Sequence, residues 1–404
     1  MIIPKISTIQ YNYNLPDEKI AKFPLDIRDN SKLLIYSDKN IIEDKFLNID
    51  KYLPSDSNLI LNNTKVIQAR IIFQRATGAK IEVFCLEPFL PAEYYSSFSS
   101  TESCTWKCMI GNLKKWKEPT LIKELKIKNE IIRLSATKID ISNNNVSIKF
   151  SWNNPKYCFS QILENCGIIP IPPYLSRNST EKDKETYQTI YSKHNGSVAA
   201  PTAGLHFTEN VFEKLKSKNI SINELTLHVG AGTFKPMTSD KVENHEMHSE
   251  YFSFSLGFLK SLYNNHENLI VSGTTSTRCI ETIYWMALKL YNKLPDFNFI
   301  DQWDAYNLTS DLSPKEAFEI LFNYMKNNSL NQISGYTKIM IVPGYKFKFV
   351  KYLITNFHQP NSTLLLLVSA FIGEDWKKVY DYALYNDFRF LSYGDSSLLR
   401  LNNE

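Results

Sequence analysis

Glycine is scarce in this chain, with 13 residues in 404. Ordinary usage would give about twice as many, so the few places where glycines cluster need a local reason. Cysteine is sparse as well. Cys85, Cys104, Cys108, Cys158, Cys166 and Cys279 are scattered, and only Cys104 and Cys108 sit at short spacing. Without a second such pair a zinc ribbon is disfavoured, and six thiols make no disulfide framework for so large a chain. They read as reduced thiols, and a cytoplasmic location is expected. Long hydrophobic runs are lacking: "LLLLVSAFIG", from Leu364, covers ten residues, about half a membrane span, and reads as a buried helix. The start, "MIIPKISTIQ", has no signal-peptide pattern, so no membrane partner is expected. A strong charge imbalance is missing too. The formal net charge of +4 neither announces a nucleic-acid binder nor excludes one.

What is present fits a globular protein of two or three domains: 43% hydrophobic and 22% charged residues, with 23 Tyr and 24 Phe. The first seventy residues alternate strand and helix signals. "LPDEKIAKF" (Leu15 to Phe23) predicts a helix starting at Pro16, and "KLLIYS" and "NLILNN" predict buried strands. From Ala69 to Ser151 the texture changes to short strands ("AKIEVFCLE", "TWKCMI", "IIRLSA", "NVSIKFSW") split by polar loops, with no helix predicted. The expected fold is therefore an α/β main domain, residues 1–68 and 152–404, with an inserted small β-barrel domain at 69–151. After Pro170, "ENVFEKLKSKN" predicts a short helix with Thr208 as N-cap and Asn219 as a left-handed stop. "ELTLHV", "NLIVSG", "TKIMIVPGY" and "YLITNF" predict strands. Ser276 to Tyr291 predicts a long helix, with Ile280, Ile283, Tyr284, Ala287, Leu288 and Tyr291 on one face. Ser362 to Ile372 predicts a helix apolar all round, and Pro295 to Ser313 an irregular flap.

One layout recurs three times: an extended stretch, a polar motif, then a helix start. In "SVAAPTAGLHFTE", Thr202 and Ala203 precede His206, which lies two residues before Thr208. In "SGTTSTRCIE", Thr274, Thr275, Ser276 and Thr277 crowd a helix start, with Arg278 close behind. In "TNFHQPNST", Asn356 and His358 precede a helix capped by Asn361 or Ser362. Helix N-termini carry unpaired N–H groups and partial positive charge, attract anions, and keep a nearby histidine neutral. Arg278 opposes that dipole, so a negative partner is expected. An internal Asp or Glu and an anionic ligand weigh equally. In an open α/β sheet the three motifs would gather at the carboxyl ends of the strands.

"ELTLHVGAGTF" places Leu225, Leu227 and Val229 on one strand face, with Thr226 and His228 on the other. Gly230 and Gly232 belong to no dinucleotide fingerprint, because Pro236 follows and no helix opens; close backbone approach is the better reason for them. His206, His228, His245, His248 and His358 could supply a metal, but no HExxH helix pattern supports one, and no metal is expected. Two basic aromatic segments suit phosphate contact and base stacking: "GNLKKWKEPTLIKELKIK", with Lys114, Lys115 and Lys117 around Trp116, and "YKFKFVK", with Lys346 and Lys348. For either segment alone a solvated face is the simpler reading.

Together "YQTIYSKHNGSVAAPTAGLHFT", "TLHVGAGTFKP", "HEMHSE", "GTTSTR", "PGYKF", "LITNFHQPNSTLLLLVSAF" and "FRFLSYGDSSLL" resemble the S-adenosylmethionine:tRNA ribosyltransferase-isomerase family of queuosine biosynthesis. The N-terminal "YNYNLPDEKIAKFPLDIRDNSKLL" and "LILNNTKVIQARI" match it too, so the resemblance runs from about Tyr11 to Leu399. The chain departs from the family pattern at Asn63, Gln68, Gln359 and Asn361, and at "MIGNLKKWK". The resemblance implies an α/β domain with an inserted β-barrel. It also implies transfer and isomerisation of the ribosyl part of S-adenosylmethionine onto the 7-aminomethyl-7-deazaguanine wobble base of tRNA with a GUN anticodon. Epoxyqueuosine forms, and adenine and methionine leave. S-adenosylmethionine is then a consumed substrate, no cofactor is needed, and a monomer is expected. In that chemistry His206 or His228 is the base. Arg278 with Thr275 and Ser276 anchors a carboxylate or phosphate. Asn356, His358 and Asp395 orient substrate, and Thr202, Ala203, Gly230 and Thr274 line the pocket. Two other readings compete: a metal-dependent hydrolase built on the histidines, and a non-catalytic tRNA-binding relative using the lysine-rich barrel.

Overall fold

The computed structural model describes residues 3–142, 145–234, 236–309 and 312–402. Ten strands form one mixed sheet. In spatial order they are Phe299–Ile300, Gln332–Thr337, Glu250–Ser255, Ser221–His228, Asn58–Asn62, Leu269–Ser272, Val350–Asn356, Ser396–Arg400, Lys32–Ser37 and Asn40–Lys45. The four from Ser221–His228 to Val350–Asn356 are mutually parallel. Alternation along the strands sends side chains into two layers. Leu34, Ile60, Leu225, Leu227, Val271 and Leu353 face the larger core, which helices Thr274–Tyr291, Pro314–Asn327, Thr363–Ile372 and Trp376–Tyr385 complete. Leu33, Ile35, Leu59, Leu61, Ile270 and Ile354 face the other side, covered by Phe207 and by Val211, Phe212 and Leu215 of helix Glu209–Ser217.

The Thr274–Tyr291 helix is buried on all sides from Thr274 to Leu288, not along a single stripe, and Tyr291 at its end is exposed. Its polar residues are therefore used internally. Buried Glu281 accepts from Tyr345 Oη (2.8 Å) and from the amides of Lys348 (2.8 Å), Phe349 (3.0 Å) and Val350 (3.1 Å). Burial pushes its pKa up, and these donors oppose that by stabilising the carboxylate. "TKIMIVPGY" is no strand beyond Thr337, because its amides bond outside any ladder: Lys338 N to Ile300 O (2.8 Å), Met340 N to Gln302 O (3.1 Å) and Val342 N to Tyr306 Oη (3.1 Å). The "YKFKFVK" segment is turned likewise. Tyr345 and Phe349 are buried, and Lys348 lies over the rings of Tyr284 (4.8 Å) and Trp285 (5.5 Å).

A second sheet has seven antiparallel strands, in the order Gly167–Ile168, Arg70–Gln74, Lys80–Leu90, Ser103–Gly111, Asn145–Trp152, Glu130–Ser142, Thr120–Ile127. It encloses its own core, with Ile71, Trp106, Leu134, Phe150 and Phe159. The sheet curls until Lys123 Nζ donates to Ile72 O (2.9 Å), but no ladder joins those strands among the described residues.

Thr208 caps its helix through the Val211 amide (3.3 Å), and Asn219 takes φ +58°, as the sequence indicates. Elsewhere tertiary pairing overrides local propensity. The Leu15–Phe23 stretch makes only the 3₁₀ turn Asp17–Lys19, because its backbone pairs with Phe390 on both sides (Phe390 N to Lys19 O, 2.8 Å; Ala21 N to Phe390 O, 3.2 Å). A short helix, Tyr94–Ser99, stands where none is predicted. The Glu93 carboxylate caps it by accepting from the Tyr95 (2.9 Å) and Ser96 (2.7 Å) amides, and Tyr94 and Phe98 pack on Trp106. Within the expected flap lie strand Phe299–Ile300 and helix Asp304–Asn307; positions 310–311 of that stretch are outside the described residues.

Candidate active site

Three parallel strands end at His228, Ser272 and Asn356, and a cleft opens beyond them. Its walls come from Ala200–Ala203, Val229, Gly273–Thr275 and Thr355–Gln359. This is where an open α/β sheet places its ligands. The wall at 200–203 is built of small side chains, so the backbone itself borders the space.

Gly273 has φ +95°, a conformation that favours glycine, and it turns the chain straight from strand into helix. No side chain caps that helix. The amides of Thr274, Thr275 and Ser276 have no hydrogen-bond partner among the described residues, whereas Thr208 and Ser362 cap the neighbouring helices. Thr274 and Thr275 line the cleft. An eighteen-residue helix thus presents a bare N-terminus to it, an anion site by partial charge and by free donors. Ser276 is fully buried and its Oγ is unpartnered, so only its amide belongs to this site.

Asn356 ties two motifs together. Its Oδ1 accepts from Thr202 Oγ1 (2.9 Å), and its Nδ2 donates to His206 Nε2 (3.3 Å). His206 Nδ1 therefore carries the proton and bonds Ser31 Oγ (2.9 Å). Burial lowers the His206 pKa to about 4, against the pull of the Asp395 carboxylate and with Arg389 adding repulsion, so the ring is neutral. Both of its nitrogens are engaged, and it stands behind Asn356, beside a smaller cleft lined by Arg28, Ser31, Arg389 and Tyr393. His358 lines the main cleft. Its Nε2 bonds Thr355 Oγ1 (2.8 Å), its amide donates to Tyr380 Oη (3.0 Å), and burial lowers its pKa to about 3.

The other residues singled out in the sequence are placed apart from this cleft. Arg278 is buried away from it. Its Nη1 donates to Glu250 Oε2 (2.8 Å) and its Nε to Ile339 O (2.9 Å), so of the two negative partners left open by the sequence it has the internal acid. Asp395 is buried and accepts from Arg389 N and Nη2 (2.8 Å each) and from Lys32 N (3.1 Å), fixing Arg389 beside His206. Gly230 lies beyond the end of its strand, and a Cβ there would meet His248 at an ordinary 3.8 Å. Lys114, Lys115, Lys117 and Lys346 are exposed, and Lys348 is half-buried. The histidines do not gather: among the described residues no three His, Cys, Asp or Glu side chains converge as metal ligands.

His228 points to the opposite side of its strand from Val229, into a larger cleft against the seven-stranded sheet. Its Nδ1 bonds Thr64 Oγ1 (2.9 Å), and Nε2 has no hydrogen-bond partner among the described residues. Tyr94 (4.2 Å between centroids) and Tyr251 (5.7 Å) pack on the ring, and burial lowers its pKa to about 3. Gly196 is required here by space, since a Cβ would come within 2.4 Å of the imidazole. Sequence reasoning passes over Gly196, Ser31 and Thr64. Only Gly196 carries a signal, as a glycine beside the small-residue run in a glycine-poor chain.

A family model described as queuosine biosynthesis protein matches residues 8–399. The S-adenosylmethionine:tRNA ribosyltransferase-isomerase of Sulfurihydrogenibium sp. (strain YO3AOP1) is 36% identical over 397 residues, covering 96% of this chain and 98% of that protein. The protein of the same name from Clostridioides difficile (strain 630) is 36% identical, covering 98% of this chain and 100% of its own. That from Finegoldia magna is 37% identical, covering 98% of each. A crystal structure of S-adenosylmethionine tRNA ribosyltransferase from Thermotoga maritima is 25% identical, covers 96% of this chain and 99% of that chain, and superposes with a TM-score of 0.45.

Proposed function

The chain belongs to the queuosine biosynthesis protein family, and from that premise we propose that it is an S-adenosylmethionine:tRNA ribosyltransferase-isomerase. It moves the ribosyl part of S-adenosylmethionine onto the aminomethyl group of 7-aminomethyl-7-deazaguanine at the wobble position of tRNA with a GUN anticodon. The sugar is isomerised to the epoxy-cyclopentane of epoxyqueuosine, and adenine and methionine leave. S-adenosylmethionine is spent as a substrate, no cofactor takes part, and the enzyme works as a cytoplasmic monomer. Its α/β domain carries the curled seven-stranded sheet as an inserted domain, which runs beyond the expected 69–151 to take in Phe159 and strand Gly167–Ile168.

The main cleft is the S-adenosylmethionine site. The observation that carries this, beside the family, is the uncapped helix start at Thr274–Ser276, which suits the methionine carboxylate. Small residues Ala200 and Ala203 let the nucleoside lie against the backbone. Thr202 and Asn356 offer polar atoms to the ribose, and His206 holds Asn356 in place. The sulfonium acidifies the neighbouring C5′ hydrogens; a neutral imidazole takes one, adenine departs, and the tRNA amine attacks the opened sugar. Of the two candidate bases, His206 acts through Asn356, and His228, whose Nε2 has no partner among the described residues, faces the neighbouring cleft, so that C5′ must lie at the His228–Val229 strand end for this ring to take its proton. Exposed Lys114, Lys115, Lys117 and Lys346 meet the tRNA backbone. Incubation with S-adenosylmethionine and tRNA bearing the aminomethyl base tests the reading: adenine should appear in step with modified tRNA, and no adenine release would refute it.

A further inference from the structure

The His228 cleft adjoins the proposed S-adenosylmethionine site at a strand end. His228 lines one and Val229 the other, at the end of one strand. It is roomy, about 880 Å³, within the range of small-molecule sites. One wall is aromatic. Tyr94, His228 and Tyr251 form a contiguous group, with Tyr94 and Tyr251 5.5 Å apart, and Tyr95 stands 78% exposed at the mouth. Further along the same strand face the lining turns polar, at Thr226 and Glu224. Glu224 accepts from Asn63 Nδ2 (3.0 Å) and from Lys193 Nζ (2.6 and 2.8 Å). Asn63 is itself held by Thr226 Oγ1 (2.7 Å), which fixes the inner side of the carboxylate.

The charges of this lining decide which part of a nucleic acid enters. Among the described residues Lys193 is the one lysine or arginine in the lining, and it is already paired; Glu93 and Glu224 are both acidic. Such a lining repels phosphate and accepts donors. Lys193 is 57% exposed, so its pair with Glu224 is a weak surface contact that an incoming donor can replace. An unstacked base needs an aromatic surface and partners for its edge. A guanine-type edge offers two adjacent donors, N1–H and the 2-amino group, which match a carboxylate in two-point fashion.

We propose that this cleft is a slot for one unstacked guanine-type base of the RNA substrate, packed against Tyr94, His228 and Tyr251 and read through its N1–H and 2-amino donors by Glu224. The assignment rests on the tRNA-modifying reading given above and goes beyond it, naming the residue that selects the base and the side of the strand from which it enters. The base then sits across the His228–Val229 strand end from the sulfonium nucleoside.

Fluorescence anisotropy with labelled anticodon stem-loop RNAs tests it, without S-adenosylmethionine. One RNA carries guanine at the wobble position, and the other carries inosine, which lacks the 2-amino group. Wild type should prefer guanine about tenfold. Glu224→Gln should erase that preference, and Tyr95→Ala should weaken both RNAs about fivefold while leaving the preference intact. Equal binding of the two RNAs by wild type, or a preference that survives in Glu224→Gln, overturns the slot. Adenine release by wild type with S-adenosylmethionine and tRNA is measured alongside. Release without base preference removes the slot and leaves the transferase reading standing. Preference without release does the reverse.

Discussion

His206 and His228 are chemically the same group in much the same state, buried and neutral. They differ in what their nitrogens do. His206 has both engaged, by Ser31 and Asn356. His228 is anchored at Nδ1 by Thr64 and keeps Nε2 without a partner among the described residues, while a glycine makes room for its ring. The first arrangement orients a neighbour; the second can accept a proton. A histidine's place in a motif says less about its role than the occupancy of its second nitrogen.

The sharpest way to break this contrast is to remove each ring. His228→Ala should lower the rate of adenine release about 100-fold or more, the scale of a lost general base. His206→Ala should act mainly on the KM for S-adenosylmethionine, through a loosened Asn356, with a loss of about tenfold in kcat/KM. Equal kcat losses in steady-state kinetics would erase the distinction. Next in size is Gly196→Ala, whose methyl group would displace the His228 ring. Its activity should fall toward that of His228→Ala, and near-normal kcat would show that the ring position is unimportant.

A smaller effect concerns both histidines together with His358. Their folded pKa values, about 4, 3 and 3, lie below the ordinary 6.5. The unfolded chain therefore binds these protons first as pH drops. The stability the neutral rings contribute is complete above pH 6.5 and is lost as pH falls from there toward 4 and then 3. With three such groups the slope is at most about 4 kcal/mol per pH unit. Urea midpoints at pH 7 and pH 5 should differ, with pH 5 lower; unchanged midpoints would contradict burial of the rings as neutral species. The smallest effect belongs to the surface. Lys346→Ala should weaken tRNA binding modestly and reduce the salt-dependence slope by about 1, provided that lysine meets a phosphate.

Much of the scaffold was legible because it is local. The Thr208 cap, the left-handed Asn219, and the split of Leu225 and Leu227 from His228 across a strand are all written in neighbouring residues. So was the gathering of Thr274 and Asn356 at strand ends. The roles of Arg278 and His206 were not, because their partners are distant: Glu250 lies 28 residues from Arg278, and Ser31 lies 175 from His206. Helix Tyr94–Ser99 escaped notice because its N-cap is a glutamate, outside the usual Ser, Thr, Asp and Asn set. The stretch Tyr345 to Phe349 reads as strand by composition, yet a single buried carboxylate takes the amides of Lys348 and Phe349, together with that of Val350 at the start of the next strand.

The central claim is that this chain spends S-adenosylmethionine as a sugar donor. It is tested most directly by supplying S-adenosylmethionine labelled either in the ribose carbons or in the methyl group, together with tRNA carrying the aminomethyl base, and weighing the wobble nucleoside by mass spectrometry. The expected result is ribose label in the nucleoside, no methyl label, and an equivalent of free adenine. Methyl label in the nucleoside, or an unchanged nucleoside, would contradict it.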